Sequence, residues 1–262
     1  MAFRREAITE NHIMSMGSMQ NRRSIRKYTN EDIPEGLLNE LFEIASRASN
    51  TGNMQLYSVV VNRDKESKER QAPFHFNQSM VTEAPVLLTF CADANRFVKW
   101  ADLRKAEAGF DNLQTFMAAT IDAMLFAEAF CEAAESKGLG ICYLGTTVYN
   151  ADKIIEALSL PYLVVPVVSV TVGYPEMPLP VQPDRLPLEA IVHNETYHDF
   201  TPESIDRIYK AREALESNQQ YVVENNKETL AQVFTDVRYT KDNNEYFSEV
   251  FLKVLQKQGF LL

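Results

Sequence analysis

The chain has 262 residues, of which 45% are hydrophobic and 24% are charged, a composition that is ordinary for a globular protein. Its formal net charge is −10 at pH 7, which argues against nucleic acid or an anionic membrane as the partner, because both carry negative charge. A chain of this length buries roughly three-quarters of its extended surface, so it needs neither disulfides nor structural metals for support.

The cysteines and histidines give no sign of a metal site. The three cysteines, Cys91, Cys131 and Cys142, lie far apart in apolar runs, so buried thiols in a cytoplasmic protein are expected rather than disulfides. The sequence has no CxxC and no HExxH, and its four histidines show no ligand spacing. We expect no signal peptide, and acidic residues in the most apolar run argue against a membrane span.

Apolar residues at helical spacing predict a helix over residues 6–20, which ends before a basic segment at residues 22–28. The basic segment reads RRSIRKY and places four cations and two hydroxyls in seven residues. Arginine side chains bind phosphate or carboxylate oxygens two at a time, so the basic segment is a candidate anion site. The alternative is a solvated turn paired with Glu31 and Asp32, since runs of charge are usually solvated.

The next stretch of the chain predicts one helix and two strands. A turn precedes a helix over residues 35–48, whose apolar side chains fall on one face. Residues 49–55 then form a polar loop, rich in side chains that suit either a turn or the edge of a ligand. β-branched residues predict a strand at 57–61, and a continuous apolar run predicts a strand buried on both faces at 86–91.

Asp93 is a candidate cap for the element that follows, and the charged segment 94–112 is predicted to be a surface excursion. The helix over residues 113–137 is apolar nearly all round, which is typical of a helix at the centre of a domain or across a subunit interface. Two further strands are predicted at 141–144 and 164–172.

Five prolines keep residues 174–192 out of a sheet. The remaining sequence predicts helices over 202–218, 222–234 and 246–258, followed by an apolar tail that docks on the protein. From the residues alone, the chain is one α+β or α/β domain with four or five strands.

The sequence contains no GxGxxG, no P-loop and no GxSxG. An enzyme without reactive side chains of its own can still work if a cofactor carries the chemistry. Three features suit one such ligand: the cations of the basic segment, the amides of the 49–55 loop with Gln78, and the backbone N–H groups of residues 138–146. Taken singly, each polar-loop amide is more often a turn former.

In their order and spacing these residues resemble the nitroreductase superfamily. The basic segment followed by Thr29 is similar to its opening signature, and Asn53-x-Gln55 is similar to its second flavin-binding loop. The runs FCADxNR at 90–96 and RLP at 185–187 resemble its larger branch, the oxygen-insensitive NAD(P)H-dependent nitroreductases and flavin reductases. The GLG at 138–140, the YLG at 143–145 and the KQGF at 257–260 do so as well, and the resemblance spans about residues 20–262.

The resemblance implies an α+β nitroreductase-like fold with a central, mainly antiparallel sheet of four or five strands flanked by helices. It implies one domain over residues 1–262, with excursions near 94–112 and 195–235. It also implies a homodimer, with FMN at the subunit interface and the 113–137 helix as the dimer core.

The resemblance implies no catalytic side chain, because FMN carries the chemistry. NADPH or NADH would pass two electrons through FMN to a nitroaromatic, quinone or flavin acceptor by a ping-pong mechanism. A related dehalogenase or dehydrogenase, or a flavin-binding protein without turnover, is the alternative, since one fold serves many reactions.

The implied FMN-binding residues form four groups by the part of the cofactor that they would meet. The phosphate would meet Arg22, Arg23, Ser24, Arg26 and Arg185. The ring and ribityl chain would meet Asn50, Thr51 and Asn53, and the pyrimidine edge would meet Gln78. The segment beside the ring would be Tyr143, Leu144, Gly145 and Thr146.

The chain departs from the family pattern at two places. Gln182 stands where the branch usually has a lysine, with Asp184 inserted before Arg185, so one cation near the phosphate is lost. Residues 217–227 contain no arginine, although this segment usually carries the arginines that meet the 2′-phosphate of NADPH. The choice between NADPH and NADH therefore stays open.

Overall fold

The computed structural model describes residues 19–261. The predicted helix over residues 6–20 lies outside this range except for Met19 and Gln20, which are helical. The contacts divide the described residues into two compact units. The first unit contains the residues up to Val181 and those from Phe247 onward, and the second unit is Gln182–Tyr246. The single domain inferred from the sequence stays a prediction.

The first unit is built on an antiparallel sheet, which has four strands within the described residues. The strands are β1 (Tyr57–Asn62), β2 (Val86–Asp93), β3 (Gly140–Leu144) and β4 (Val164–Gly173), in the spatial order β1-β2-β4-β3. The central strands β2 and β4 are buried on both faces almost throughout, as continuous apolar runs predict. The predicted α+β fold with a mainly antiparallel sheet is confirmed.

The helices predicted over residues 35–48 and 113–137 are present in the first unit, together with shorter helices. They are α1 (Glu35–Ala45), α2 (Lys65–Gln71), α3 (Met80–Glu83), α4 (Asn95–Leu103), α5 (Leu113–Ser136) and α6 (Ala151–Ala157). The Asp93 carboxylate accepts the N–H of Arg96 at 3.3 Å, so its predicted role in capping α4 is confirmed. The predicted excursion at 94–112 thus begins as a helix.

Helices α1 and α5 cover one face of the sheet. Leu88 and Phe90 of β2 point to this face and are buried with Phe126 and Phe130 of α5. The Phe90 ring lies 5.9 Å from that of Phe126 and 6.1 Å from that of Phe130. Because side chains alternate along a strand, Leu87 points to the opposite face. There it packs in one buried cluster with Ile25 and Tyr28 of the basic segment.

Helix α5 begins at a side-chain cap, since the Asn112 side chain accepts the N–H of Thr115 at 2.9 Å. The first unit buries only part of the apolar surface of α5, and several large apolar side chains of this helix stay exposed. The exposed apolar side chains are Leu113, Met117, Ile121, Met124 and Leu125. Among the helices of residues 19–261, none combines the length and the hydropathy needed to cross a membrane.

The last helix, α10, runs over Lys241–Lys257 and crosses from the second unit into the first. It starts five residues earlier than the sequence predicts. Phe260, which follows it, is fully buried, and its ring lies 5.4 Å from that of Phe116. The apolar tail therefore docks on the chain itself.

In the second unit, the predicted helices over 202–218 and 222–234 are replaced by three shorter helices. They are α7 (Pro202–Glu213), α8 (Glu216–Glu224) and α9 (Leu230–Val233). The boundaries follow local caps: Thr201 begins α7, and Thr229 begins α9 in a capping box with Gln232.

Candidate functional site

Two buried residues fix the basic segment to the sheet. The N–H of Ile25 donates to the carbonyl of Ile141 in β3 at 2.9 Å, and the Tyr28 hydroxyl is hydrogen-bonded to the Thr171 hydroxyl of β4 at 2.8 Å. Both Ile25 and Tyr28 are buried. Arg26 and Lys27, which lie between them, are exposed, and the residues just before Ile25 are half-buried.

Glycine at two strand ends permits this close approach. A Cβ on Gly140 would lie 2.6 Å from the nearest carbon of Ile25, and a Cβ on Gly173 would lie 2.8 Å from a ring carbon of Tyr28. Neither distance is compatible with a side chain at these positions, so the two glycines allow the basic segment to pack against the sheet.

The outward side of the basic segment lines a cavity of about 430 Å³, formed by residues 24–27 with Glu176 and the prolines that follow. Arg26 is exposed, and within residues 19–261 the Ser24 and Arg26 side chains make no hydrogen bond or ion pair. Arg23 donates to the carbonyl of Pro180 at 3.4 Å. A hydroxyl and a guanidinium without partners can together bind an anion.

The alternative of a solvated turn predicted that Asp32 pairs with the basic segment. In the structure, Asp32 pairs with Arg63 instead, at 2.6 Å. Arg63 also donates to the carbonyl of Ile33. The cations of the basic segment are therefore not neutralised by Asp32.

Arg22 differs from its neighbours, because carboxylates of α5 hold it. Its Nη1 donates to Glu128, and its Nε lies 3.5 Å from Glu135. Burial alone would lower the pKa of Arg22, but Glu128 and Glu135 more than offset this and raise it. Burial raises the pKa of Glu135 to about 7, with Arg22 opposing the effect.

A third carboxylate of α5 holds the 49–55 loop. Asp122 is buried, and its Oδ1 accepts both the N–H of Thr51 at 2.8 Å and the Thr51 hydroxyl at 2.9 Å. Its Oδ2 accepts the N–H of Leu56 at 3.3 Å. The Asn50 side chain lies within the loop and accepts the N–H of Gln55 at 3.3 Å. Asn53 has a φ of 55°, a conformation that asparagine tolerates better than most residues.

A chain of contacts joins Gln78 to the end of β3. The Gln78 amide donates to the carbonyl of His75 at 3.0 Å, and the Nδ1 of His75 is hydrogen-bonded to the Thr146 hydroxyl at 2.9 Å. His75 is fully buried, and its Nε2 has no partner among the described residues. Gly145, which precedes Thr146, is exposed.

Tyr143 and Leu144 form the end of β3. The Tyr143 hydroxyl donates to Glu128 at 2.9 Å, whereas Leu144 is buried. Within the first unit, Tyr143 and Arg22 therefore share Glu128 as a hydrogen-bond partner. Thr146 and Gln78 likewise share His75.

Arg185 belongs to the second unit. Its guanidinium donates to the carbonyl of Asp184 at 3.0 Å. The Asp184 carboxylate accepts from Arg212 at 2.7 Å. The inserted Asp184 thus has its own cation and is not paired with the Arg185 side chain.

Sequence reasoning missed the residues that hold the site together, namely His75, Asp122, Glu128 and Glu135. The acidic residues of the apolar run served only to exclude a membrane span. A carboxylate in a helix that is otherwise apolar carries a further signal, because a buried charge needs a partner. Within residues 19–261 no cluster of potential metal ligands is found.

Comparison with known proteins gives a consistent picture. The Nitroreductase family model matches residues 19–174. An FMN reductase [NAD(P)H] of Bacillus subtilis is 30% identical, over 93% of this chain and 96% of its own. An oxygen-insensitive NADPH nitroreductase of Salmonella typhimurium is 27% identical, over 91% and 94%. A crystal structure from Bacteroides fragilis is 57% identical with a TM-score of 0.92, covering 94% of this chain and 100% of that one. The resemblance drawn from the sequence is confirmed.

The buried His75 makes a pH-dependent contribution to stability. Burial lowers the pKa of His75 to about 4 from its ordinary value of 6.5. The neutral histidine therefore supports stability above pH 6.5, and this contribution is lost as the pH falls toward 4. Between about pH 7.5 and about pH 5, the wild type should lose about 2 kcal/mol more of its free energy of unfolding than His75→Gln does. Chemical denaturation at the two pH values measures the difference, and equal losses would contradict a buried neutral His75.

Proposed function

The chain belongs to the nitroreductase family, and on that premise we propose that it is an FMN-dependent oxidoreductase that uses NAD(P)H. The relatives named above are an FMN reductase and an NADPH nitroreductase, and they match this chain over nearly its whole length. One observation within the chain carries the proposal: the basic segment is fixed to β3 so that Ser24 and Arg26 face a cavity without partners of their own.

The residues of the basic segment fit a phosphate. Ser24 supplies a hydroxyl donor, and Arg26 supplies a guanidinium with several N–H donors in a fixed fork. Arg23 lies beside them and is bound only to backbone carbonyls among the described residues. In a chain with a net charge of −10, these cations form a local positive site, and it is this local charge that favours a bound anion.

The other candidate residues fit the flavin ring and its ribityl chain. The 49–55 loop carries side-chain amides, which both donate and accept, and the Thr51 hydroxyl, which already donates to Asp122 and can still accept. Gln78 offers a second amide for the pyrimidine edge. Gly145 and Thr146 offer backbone N–H groups where the strand ends, and the absence of a side chain at Gly145 leaves room for a flat ring.

When bound, FMN supplies the hydride chemistry, accepting a hydride from NAD(P)H and then reducing an acceptor. The residues of this chain bind and orient the cofactor, and their N–H groups and cations stabilise negative charge near it. We propose a nitroaromatic, quinone or flavin acceptor, which would take the place of the oxidised donor in a ping-pong sequence. No side chain of the candidate site is assigned as an acid or base, since solvent can supply the proton.

We propose that the protein is a homodimer whose interface includes α5. Five large apolar side chains of α5 are exposed in the single chain, and Ile121 is 53% exposed. Exposed apolar patches of this kind mark interfaces. Sedimentation should give the mass of two chains, and Ile121→Lys should shift it toward one. A wild type that sediments as a single chain would contradict the dimer.

The absorbance spectrum tests the cofactor and the donor together. The purified protein should show the visible bands of an oxidised flavin, and heat should release FMN. Under anaerobic conditions NADH or NADPH should bleach these bands, and the faster donor is the preferred one. A colourless protein that stays colourless after titration with FMN would contradict the proposal, and a bound flavin that neither donor bleaches would favour a binding protein without turnover.

Arg26→Ala tests the phosphate site. A charge-assisted hydrogen bond contributes about 1.5–3 kcal/mol, so the Kd for FMN should rise about 10- to 100-fold. The Kd for riboflavin, which lacks the phosphate, should not change. Arg70→Ala removes another exposed arginine, from α2, and should leave both constants as in the wild type. If Arg26→Ala leaves FMN binding unchanged, the basic segment is a surface turn.

A further inference from the structure

We propose that Phe76 selects the electron acceptor, because its exposed ring offers a stacking surface for a planar aromatic acceptor of the quinone class. Phe76 forms an aromatic cluster with Tyr149 and Phe247, and all three residues belong to the first unit. The inference rests on the proposed function, since it states which acceptor suits the same cofactor site.

The three rings of the aromatic cluster come from separate segments and pack in two ways. The Tyr149 and Phe247 rings are stacked, with centroids 4.5 Å apart and planes 14° from parallel. The Phe76 ring lies at a steep angle to both, 6.4 Å from Tyr149 and 6.3 Å from Phe247. Tyr149 and Phe247 are half-buried, whereas Phe76 is 54% exposed. Two rings therefore support a third, which keeps an open surface for another ring.

Phe76 adopts a backbone conformation that phenylalanine disfavours. Its φ is 55° and its ψ is 35°, in the left-handed region, where it ends the short 3₁₀ helix Ala72–His75. Glycine is the usual residue at such a helix end, and a bulky side chain there is an outlier. The following residue, Asn77, has a φ of 52°, which asparagine tolerates. Because strained residues of this kind cluster at sites that bind ligands, the ring at Phe76 points to a ligand rather than to the turn.

The exposed ring of Phe76 lies beside residues that are proposed to meet the flavin ring. Phe76 is two residues before Gln78, a distance of at most about 7 Å along the backbone. Tyr149 is three residues after Thr146 in the 3₁₀ helix Gly145–Asn150, which is one turn of such a helix. A ligand that lies on Phe76 is therefore close to the proposed position of the flavin.

Two side-chain contacts, and not the aromatic cluster, hold these two segments together. The Nδ1 of His75 is hydrogen-bonded to the Thr146 hydroxyl at 2.9 Å. The buried Asn150 donates to the carbonyl of Phe74 at 2.8 Å. Neither contact uses the Phe76 side chain, so removing its ring should leave the candidate flavin contacts in place.

The chemistry of the aromatic cluster favours an electron-poor ring. Aromatic side chains carry negative charge on their faces, which attracts a ring that is itself poor in electrons, as a quinone is. In the net reaction, NAD(P)H and one proton from solvent convert the quinone to the hydroquinone and leave NAD(P)+. A naphthoquinone also has a fused ring that can lie on Phe76 apart from the carbonyl groups that are reduced.

The experiment uses the purified flavin-loaded protein and follows the two half-reactions separately by stopped-flow absorbance. NADH or NADPH first bleaches the flavin bands under anaerobic conditions. The recovery of the bands then gives the rate constant for oxidation by menadione, a naphthoquinone, or by ferricyanide, which contains no ring. The free energy of unfolding and the sedimenting mass are measured for each variant.

The variants change the ring and the backbone separately. Phe76→Gly removes the ring and suits the left-handed backbone, whereas Phe76→Tyr keeps the ring. Phe76→Leu removes the ring but keeps an apolar side chain, and it serves if Phe76→Gly does not fold. Trp100→Leu is the matched control, because Trp100 on α4 is 56% exposed and lies outside the aromatic cluster.

Phe76→Gly should lower the rate constant for menadione about 2- to 12-fold, the loss expected for one aromatic pair. The constant for ferricyanide and the rate of bleaching by the donor should not change. Phe76→Tyr should restore the wild-type ratio of the two acceptor constants, and Trp100→Leu should match the wild type. The ratio is the decisive readout, because a merely structural role, through a looser site or a lost cofactor, changes both constants alike.

Other outcomes would overturn the inference. If Phe76→Gly changes both acceptor constants by the same factor, or neither, the ring does not select the acceptor. If it slows bleaching by the donor instead, the ring contacts the nicotinamide. If it shifts the sedimenting mass from two chains to one, the ring belongs to the subunit interface. A wild type that binds no flavin, or whose flavin neither donor bleaches, contradicts the proposed function itself, which is a separate result.

Discussion

The candidate site depends on carboxylates that the long helix α5 presents to the segments around it. Asp122 accepts backbone N–H groups of the 49–55 loop and of Leu56, and Glu128 accepts from Arg22 and Tyr143. Backbone and guanidinium donors that leave water need acceptors, so each segment settles where the helix supplies one. With 24 residues, α5 is about 36 Å long, which lets one element serve segments that are far apart in the chain.

The basic segment performs a structural task and, in the proposed function, a binding task as well. β3 lies at an edge of the sheet, and an uncovered edge is prone to pair with other strands. The N–H of Ile25 bonds to β3, the N–H of Thr29 bonds to the carbonyl of Tyr174, and the carbonyl of Lys27 accepts the N–H of Glu176. The backbone thus bonds to the β3 edge at Ile25 and to the residues that follow β4 at Lys27 and Thr29, and the Arg26 and Lys27 side chains are exposed. The charged side chains can stay exposed because the backbone of the basic segment, and not these side chains, makes the hydrogen bonds that hold it.

The proposed chemistry is consistent with the kinds of side chain that the candidate site contains. None of the candidate residues has the arrangement of an acid, a base or a nucleophile, and no metal-ligand cluster is found in the described part of the chain. What the site offers is donors, amides and positive charge on fixed backbone. These features suit the proposed role of binding and orienting a cofactor that carries out the reaction itself.

The sequence by itself determined the strands and the long helix, because continuous apolar runs and helical spacing are local patterns that burial enforces. It also determined the family, since the order and spacing of the motifs are properties of the chain alone. The helices of the second unit were placed less well, because their ends follow side-chain caps at Thr201 and Thr229. Only the tertiary structure decided which arginine of the basic segment is free. Arg22 is bound to a carboxylate 106 residues away, and Thr51 to one 71 residues away; such partners are chosen by the packing of α5 against the sheet, which no local pattern records.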